Sequence, residues 1–400
     1  MNIKLYRSEN QKNVIVEIAT VKSKILLDCG VTLEENEVLL LPELQKEYSF
    51  EGIDGVFITN YNSDHVTMAR GLIADAPTYI GRLAGKMAAA AESYKSKKPF
   101  PFAGFYANAV PIIAGDITVT PFLVDDAVHE GYLLFIQGEG TSVIYAGDYH
   151  ANGRKRFEEM LAGLPTKVDV LLCKGGVITK DDINPITERG VEEKISELIA
   201  KEKGPVFVLN AVNNFDRTTT LFNAAHRNKR VLLEDLYFSQ IASAADRAMP
   251  NPKSWAGVRA YLTTGYKPEH FRYKMFTSLP RLSKAEIATQ KFVMCIRPSM
   301  KKYMKTLFQE MRFSQGIIIN ALPDEAAKSA ATEEYLAFAV EKGLKVHTLR
   351  TSGHADAMAI KALIEWTNPR KIMPLNSQEA LWLASNYPNI EVEAKDILQL

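Results

Sequence analysis

Ile58-Thr59-Asn60-Tyr61-Asn62-Ser63-Asp64-His65-Val66 is the stretch whose reading decides the fold. It grows out of a short apolar run, Gly55-Val56-Phe57-Ile58, which has the length and composition of a buried strand. Beyond it, Val66, Ala69, Leu72 and Ile73 fall at helical spacing. The polar cluster therefore occupies a junction between strand and helix, where a loop aims side chains and backbone N–H groups at one point. Taken singly, Asn60 and Asn62 are turn residues that hydrogen-bond the loop backbone. Asp64 suits the helix cap and a metal ion equally well.

Upstream, residues 14–18 and 24–28 read as strands paired across a short turn, and Asp28-Cys29-Gly30 closes the second. Downstream come a small-residue helix over 83–94, a loop rich in Phe and Pro over 99–105, and strands at 117–124, 132–136, 143–145 and 168–173. Near Thr179 the texture changes to alternating helix and strand. Val191, Ile195, Leu198 and Ile199 form a helical stripe ended by Gly204. Strands follow at 206–209, 231–233, 292–296, 316–319 and 345–349. Helices fall at 217–227, around Tyr303, Met304, Leu307 and Met311, and at 335–342 before Gly343. Repeated βα units of this kind imply a parallel sheet with helices on its faces. Residues 240–290 read as loop-rich. A second polar cluster, Thr351-Ser352-Gly353-His354, opens a helix carrying Ala359, Leu363 and Ile364, which Asn368-Pro369 ends. A strand at 371–375 then leads to Asn376.

At 400 residues the chain exceeds one ordinary core, so two domains are expected. Its 46% hydrophobic and 24% charged residues are those of a globular protein in water. A net charge of +1 supplies no global field for nucleic acid, leaving only local basic surfaces for such a partner. Cys29, Cys173 and Cys295 lie far apart in apolar runs and read as three buried, reduced thiols. No apolar run reaches the roughly 18 residues of a membrane span, so no membrane partner is expected. The first residues lack the apolar core of a secretion signal, and a cytoplasmic location is expected.

The spacing N-x-N-x-D-H resembles the H-x-H-x-D-H signature of the metallo-β-lactamase superfamily, with both leading histidines replaced by asparagine. Asp28-Cys29-Gly30, the signature loop, Gly147-Asp148, Thr351-Ser352-Gly353-His354-Ala355 and Met373-Pro374-Leu375-Asn376 occur in this order. Together they resemble the β-CASP branch, which includes ribonuclease J and the pre-mRNA 3′-end endonuclease. The resemblance implies an α/β fold: an αββα sandwich interrupted by an inserted β-CASP-like α/β domain. The sandwich would occupy residues 1–180, the insertion 181–348 and the returning sandwich segment 349–400.

The resemblance also implies two zinc ions and hydrolysis of RNA or DNA phosphodiesters. The family's first two histidines fall on Asn60 and Asn62, and its aspartate and third histidine on Asp64 and His65. A further histidine falls on Asp126, the bridging aspartate on Asp148, the last ligand histidine on Asn376, and an acidic residue on Lys174. The β-CASP histidine that handles the leaving group or phosphate falls on His354. Zinc favours imidazole and thiolate, whereas amide and carboxylate oxygens suit harder ions. One metal position would thus keep Asn60, Asn62, Asp126 and Asp148, and the other Asp64, His65 and Asp148 with neutral Asn376. A two-zinc centre is not expected, and the cofactor is none or one divalent zinc, manganese or magnesium ion.

Three readings stay open. The preferred one is a fold that has lost its ligands and binds nucleic acid or a protein partner rather than cutting. The second is an oxygen-rich pocket for a hard cation on Asn60, Asn62, Asp64, Asp126 and Asp148. The third is one transition metal on Asp64, His65 and Asp148; in an active enzyme Asp64 and His354 would be catalytic. Lys174 would stand in electrostatically for a missing cation. Ser352, Gly353 and His354 would bind phosphate at a helix N-terminus, with plain helix capping by Ser352 as the alternative. Arg297-Pro298-Ser299 offers a second anion contact. Asp148 also reads as a turn residue, Asp125-Asp126 as a solvated acidic pair, and His129 and His150 as ordinary residues near the loop. Expected partners are nucleic acid in the interdomain cleft and a second copy or an active paralogue.

Overall fold

A computed structural model describes residues 1–7, 14–29, 52–62, 65, 76–173, 186–311, 313, 315–351, 355–376 and 379–400. Among these residues the strands form three sheets, two of seven strands and one of six. The first sheet runs from edge to edge through Ile397–Gln399, Asn2–Arg7, Val14–Ala19, Lys24–Leu27, Gly55–Phe57, Thr78–Gly81 and Gly104–Tyr106. Its first three pairings are antiparallel and its last three parallel. The second runs through Glu391–Val392, Lys371–Pro374, Val170–Cys173, Thr141–Ala146, Gly131–Gly138, Ile117–Val124 and Ile112–Ala114.

Side-chain alternation explains how these two sheets stack. Val143 and Tyr145 join Val170, Leu172 and Met373 in a core shared with Ile3, Leu5, Val16, Ile25 and Phe57 of the first sheet. The intervening Ile144, Ala146 and Leu171 point the other way, onto the helices Phe157–Gly163 and Ala357–Thr367. On the far side of the first sheet, Leu26, Val56 and Ile80 pack on Ala84 of the helix Arg82–Tyr94. The layering is therefore helix, sheet, sheet, helix.

The third sheet orders Val258–Tyr261, Val231–Asp235, Phe292–Ile296, Val206–Leu209, Ile317–Asn320 and Lys345–Thr348. Every pairing in it is parallel. Val206, Val208, Val293 and Ile319 face one helical layer, while Phe207, Leu209, Met294 and Ile318 face the other. Burial on both faces is why these strands read as unbroken apolar runs. Met87 from the helix Arg82–Tyr94 enters the first of these cores, and that helix packs on Leu236–Ala244. The stretch 240–290 is more ordered than a loop: it holds the strand Val258–Tyr261 and the helices Phe271–Thr277 and Lys284–Thr289, the latter opened by a Ser283–Glu286 capping box. No helix among the described residues is long and apolar enough to cross a membrane.

Candidate functional site

The signature loop begins where the strand Gly55–Phe57 ends, and its anchor lies in a neighbouring strand's exit. Asp28 follows Lys24–Leu27 with φ at +50°, a left-handed conformation that aspartate tolerates better than most residues. Its buried carboxylate accepts hydrogen bonds from the Thr59 N–H (2.7 Å), the Thr59 hydroxyl (2.8 Å) and the Tyr145 hydroxyl (2.8 Å). It also sits 2.7 Å from His65 Nδ1. The other ring nitrogen, Nε2, lies 2.9 Å from Asp148 Oδ2. His65 is thus buried between two carboxylates, an arrangement that suits either a doubly protonated ring or a ring held ready for a cation.

Asn60 is buried, and its Oδ1 accepts the Asn62 N–H at 2.8 Å. That bond turns the amide so that Nδ2, a donor, remains buried without a partner. Asn62 is half-buried, and its Oδ1 accepts from Asn213 Nδ2. Tyr61 packs with the third sheet's core, its buried hydroxyl without a partner. Burial, then the charges of Asp126 and Tyr237, hold that phenol well above its usual range.

Asp125 and Asp126 are not a solvated pair: both are buried, because the strand Ile117–Val124 delivers them into the seam beside the third sheet's helices. Asp126 Oδ2 has no hydrogen-bond partner, and burial, followed by the Asp148 charge, lifts its carboxyl to about 6. His150 is buried as well. Its side chain is 4% exposed, and its Nδ1 lies 3.4 Å from Asp125 Oδ2 without a hydrogen bond. Burial lowers its pKa, but Asp125, Asp126 and Asp216 outweigh burial and the net shift is upward. Asp216, in the first turn of the helix Phe215–Arg227, completes a compact group with Asp125 and His150. Burial lifts the Asp216 carboxyl to about 6 against the opposing charges of Lys155 and His150. His129 stacks on Phe215 with ring centroids 5.1 Å apart; burial and then Lys155 lower its pKa to about 4, so it is a neutral ring.

From the predicted set the structure brings His65 onto Asp148 and Asp148 close to Asp126, while Asn60 and Asn62 lie in the loop that leads to His65, whose N–H donates to the Asn62 carbonyl. Asn376 is half-buried just beyond the strand Lys371–Pro374. Asp64, Lys174, Ser352, Gly353 and His354 lie outside the described residues. The helix expected to open at Thr351 starts at Ala357, and its N-cap is Asp356, whose carboxylate accepts the Ala359 N–H (2.8 Å) and an Asn152 Nδ2–H (3.0 Å). A carboxylate therefore serves that helix N-terminus. Arg297 offers no open anion contact either, since both its terminal nitrogens bind Asp235, at 2.6 and 2.7 Å. The group Asp125, His150 and Asp216 escaped sequence reasoning because no spacing rule links residues so far apart; the adjacency of Asp125 to Asp126 and of His150 to Asp148 was the only signal.

A cluster of rings and cations gathers at the C-terminal end of the helix Arg82–Tyr94. Tyr94 lies 5.0 Å from Tyr237, Arg272 sits 4.5 Å over Tyr94, and Tyr266, His270 and Phe271 stack in succession beside it. Arg272 also donates to the Tyr94 carbonyl from Nε (3.1 Å) and Nη2 (2.6 Å), which fixes its plane. Lys95, Lys97, Lys98, Lys267 and Lys274 are exposed around it.

No protein-family model matches the chain. Ribonuclease J of Sinorhizobium meliloti (strain Sm2011 / Rm2011 / 2011) is 23% identical over 398 residues, covering 92% of this chain and 67% of that relative. The crystal structure of a protein of unknown function from Enterococcus faecalis V583 is similar in fold, with a TM-score of 0.73 at 15% identity and full coverage of both chains. A metallo-beta-lactamase mutant from Cronobacter sakazakii aligns at a TM-score of 0.35 with 14% identity, over 42% of this chain and 75% of its own. By sequence over nearly its whole length the chain is similar to ribonuclease J, and that similarity, together with its helix–sheet–sheet–helix layers, supports the resemblance to the β-CASP branch of the metallo-β-lactamase superfamily.

Proposed function

We propose that this chain binds single-stranded nucleic acid and does not cut it. The observation that carries the reading is the state of the asparagine amides. A two-zinc clamp on the attacking and leaving oxygens needs donors that converge on both ions. At the first ion's position the Asn60 oxygen is committed to the Asn62 N–H, and the amide turns its N–H₂ inward instead. The Asn62 oxygen is committed to Asn213. An N–H₂ group repels a cation, and among the described residues one imidazole, His65, remains at this centre. The residues present do not fit two zinc ions.

Binding has support of its own. The rings of Tyr94, Tyr266, His270 and Phe271, interleaved with Arg272 and exposed lysines, match what unstacked bases and a phosphate backbone require. The family relation to ribonuclease J makes RNA the natural first probe. The test is fluorescence anisotropy of a labelled single-stranded RNA across salt concentrations, run beside a cleavage assay with zinc, manganese and magnesium. The expected result is intact RNA and an affinity that falls steeply with salt. Metal-dependent cleavage abolished by Asp148→Ala would mean an active hydrolase instead. Absence of binding would turn the reading to a protein partner, such as a second copy or an active paralogue.

A further inference from the structure

Asp125, His150 and Asp216 lie beside the donor set of the signature loop, with His150 facing the Asp126 charge, but share no residue with it. We propose that they form a divalent transition-metal site that pins the third sheet's helical layer onto the sandwich. Asp125 and His150 come from the loops after the strands Ile117–Val124 and Thr141–Ala146, and Asp216 from the helix Phe215–Arg227. One ligand atom from each lies within 4.8 Å of the other two, and all three side chains are buried.

The donor geometry is specific. The 3.4 Å between His150 Nδ1 and Asp125 Oδ2 is too long for a good hydrogen bond. It matches the roughly 3.3 Å that separates neighbouring ligands around a tetrahedral ion with bonds of about 2.0–2.1 Å. The imidazole is 4% exposed, and its Nδ1 is aimed into the group with no hydrogen-bond partner. A buried ring nitrogen left in this way is costly unless something occupies the space before it. One imidazole with two carboxylates suits zinc or manganese rather than calcium.

The surroundings hold the ligands in place. Asp125 Oδ2 accepts the Gly153 N–H (3.0 Å) and Oδ1 the Lys155 N–H (3.1 Å), while Asp216 Oδ2 accepts the Arg154 N–H (3.0 Å). The His150 N–H donates to the Asp125 carbonyl at 2.9 Å, tying two of the ligands through the backbone. Gly153 closes over all three, and a Cβ there would collide with His150, Asp125 and Asp216 together. Ligating carboxylates supported by backbone N–H groups are the usual second layer of a metal site.

The test uses the full chain, stripped with chelator, incubated with zinc or manganese, dialysed, and read by elemental analysis and thermal unfolding. We expect one ion per chain and a Tm about 3 °C higher when the free ion is a hundredfold above its Kd. Asp216→Asn and His150→Gln should lose both effects, whereas Asp148→Asn, in the signature-loop centre, should keep them. Two variants guard against one failing to fold, and the wild-type stoichiometry decides by itself. Metal well below one equivalent in the wild type overturns the proposal and leaves a protonated His150 between two aspartates. An ion lost in Asp148→Asn but kept in Asp216→Asn also overturns it and moves the ion to the loop. The outcome is independent of whether RNA is bound or cut.

Discussion

Asp126 carries a buried carboxylate oxygen with no hydrogen-bond partner, next to the Asp148 charge. Its folded-state carboxyl titrates at about 6, against 3.8 for the free group. A raised acid pKa means that the native state binds the extra proton. The penalty is therefore absent below about pH 4, grows through pH 4–6, and is complete above 6. Two pKa units correspond to about 3 kcal/mol as an upper figure, shared with Asp148, His150 and Lys155, the charges that face it. Asp126→Asn should therefore stabilise the chelator-treated protein by about 1–3 kcal/mol at pH 8 and by nearly nothing at pH 4. Urea unfolding at the two pH values measures this; an equal effect at both would disprove the electrostatic account. The same scale shows the limit of reading residues from spacing. Asp125 and Asp126 carry the composition of a solvated pair, and nothing local reveals that a distant helix buries them.

At the scale of elements, Arg217 holds the helix Phe215–Arg227 to its neighbours. Its guanidinium is fully buried and pairs with Glu188 through Nε (2.7 Å) and Nη2 (3.0 Å). Its Nη1 donates to the Ala321 and Leu349 carbonyls, both at 3.1 Å, just beyond the ends of Ile317–Asn320 and Lys345–Thr348. Burial raises the Glu188 carboxyl, but Arg217 and Thr220 outweigh it and the net shift is downward. Arg217→Met would strand that carboxylate and two carbonyls, at a cost of about 3–5 kcal/mol at neutral pH. Glu188→Gln on top should recover part of this, because the unpaired charge goes. Chemical denaturation of the single and double variants gives the coupling, and additive losses would mean the pair acts independently.

Element ends were legible where chemistry forces them. Asn368 ends its helix at φ +40° and Gly343 follows its helix at φ +86°, as their tolerance of the left-handed region dictates. Asp356 was not legible as a cap, because Thr351 and Ser352 carry the same signal a few residues earlier.

At the scale of the molecule, the third sheet's helices meet the sandwich through an apolar patch, where Met87 enters their core and Arg82–Tyr94 packs on Leu236–Ala244, and through a polar patch around Phe215. The Phe215 N–H donates to the Ala127 carbonyl at 2.8 Å, and Asn213 donates to Asn62. Arg154 reaches across to Glu192, to the Thr220 hydroxyl (2.7 Å) and to the Asp216 carbonyl (3.2 Å). Local opening of such a seam costs less than unfolding either core. Arg154→Ala should speed amide exchange about 10–100-fold in residues 125–129 and 215–220, leaving the sheet interiors unchanged. Hydrogen-exchange mass spectrometry reads this, and a uniform increase throughout the chain would show a global loss of stability instead.

The sequence by itself determined the layers. Apolar runs, alternation and helical stripes report burial on one or two faces, which is local chemistry repeated along each strand and helix. The ordered short motifs then joined those elements into one family fold. Only the tertiary structure decided which polar groups meet. His65 lies between Asp28 and Asp148, the Asn60 amide turns inward as a donor, and Asp216 comes to Asp125 and His150. Those encounters depend on how three sheets pack, and side chains distant in sequence leave no periodic trace of one another until the backbone brings them into the same few ångströms.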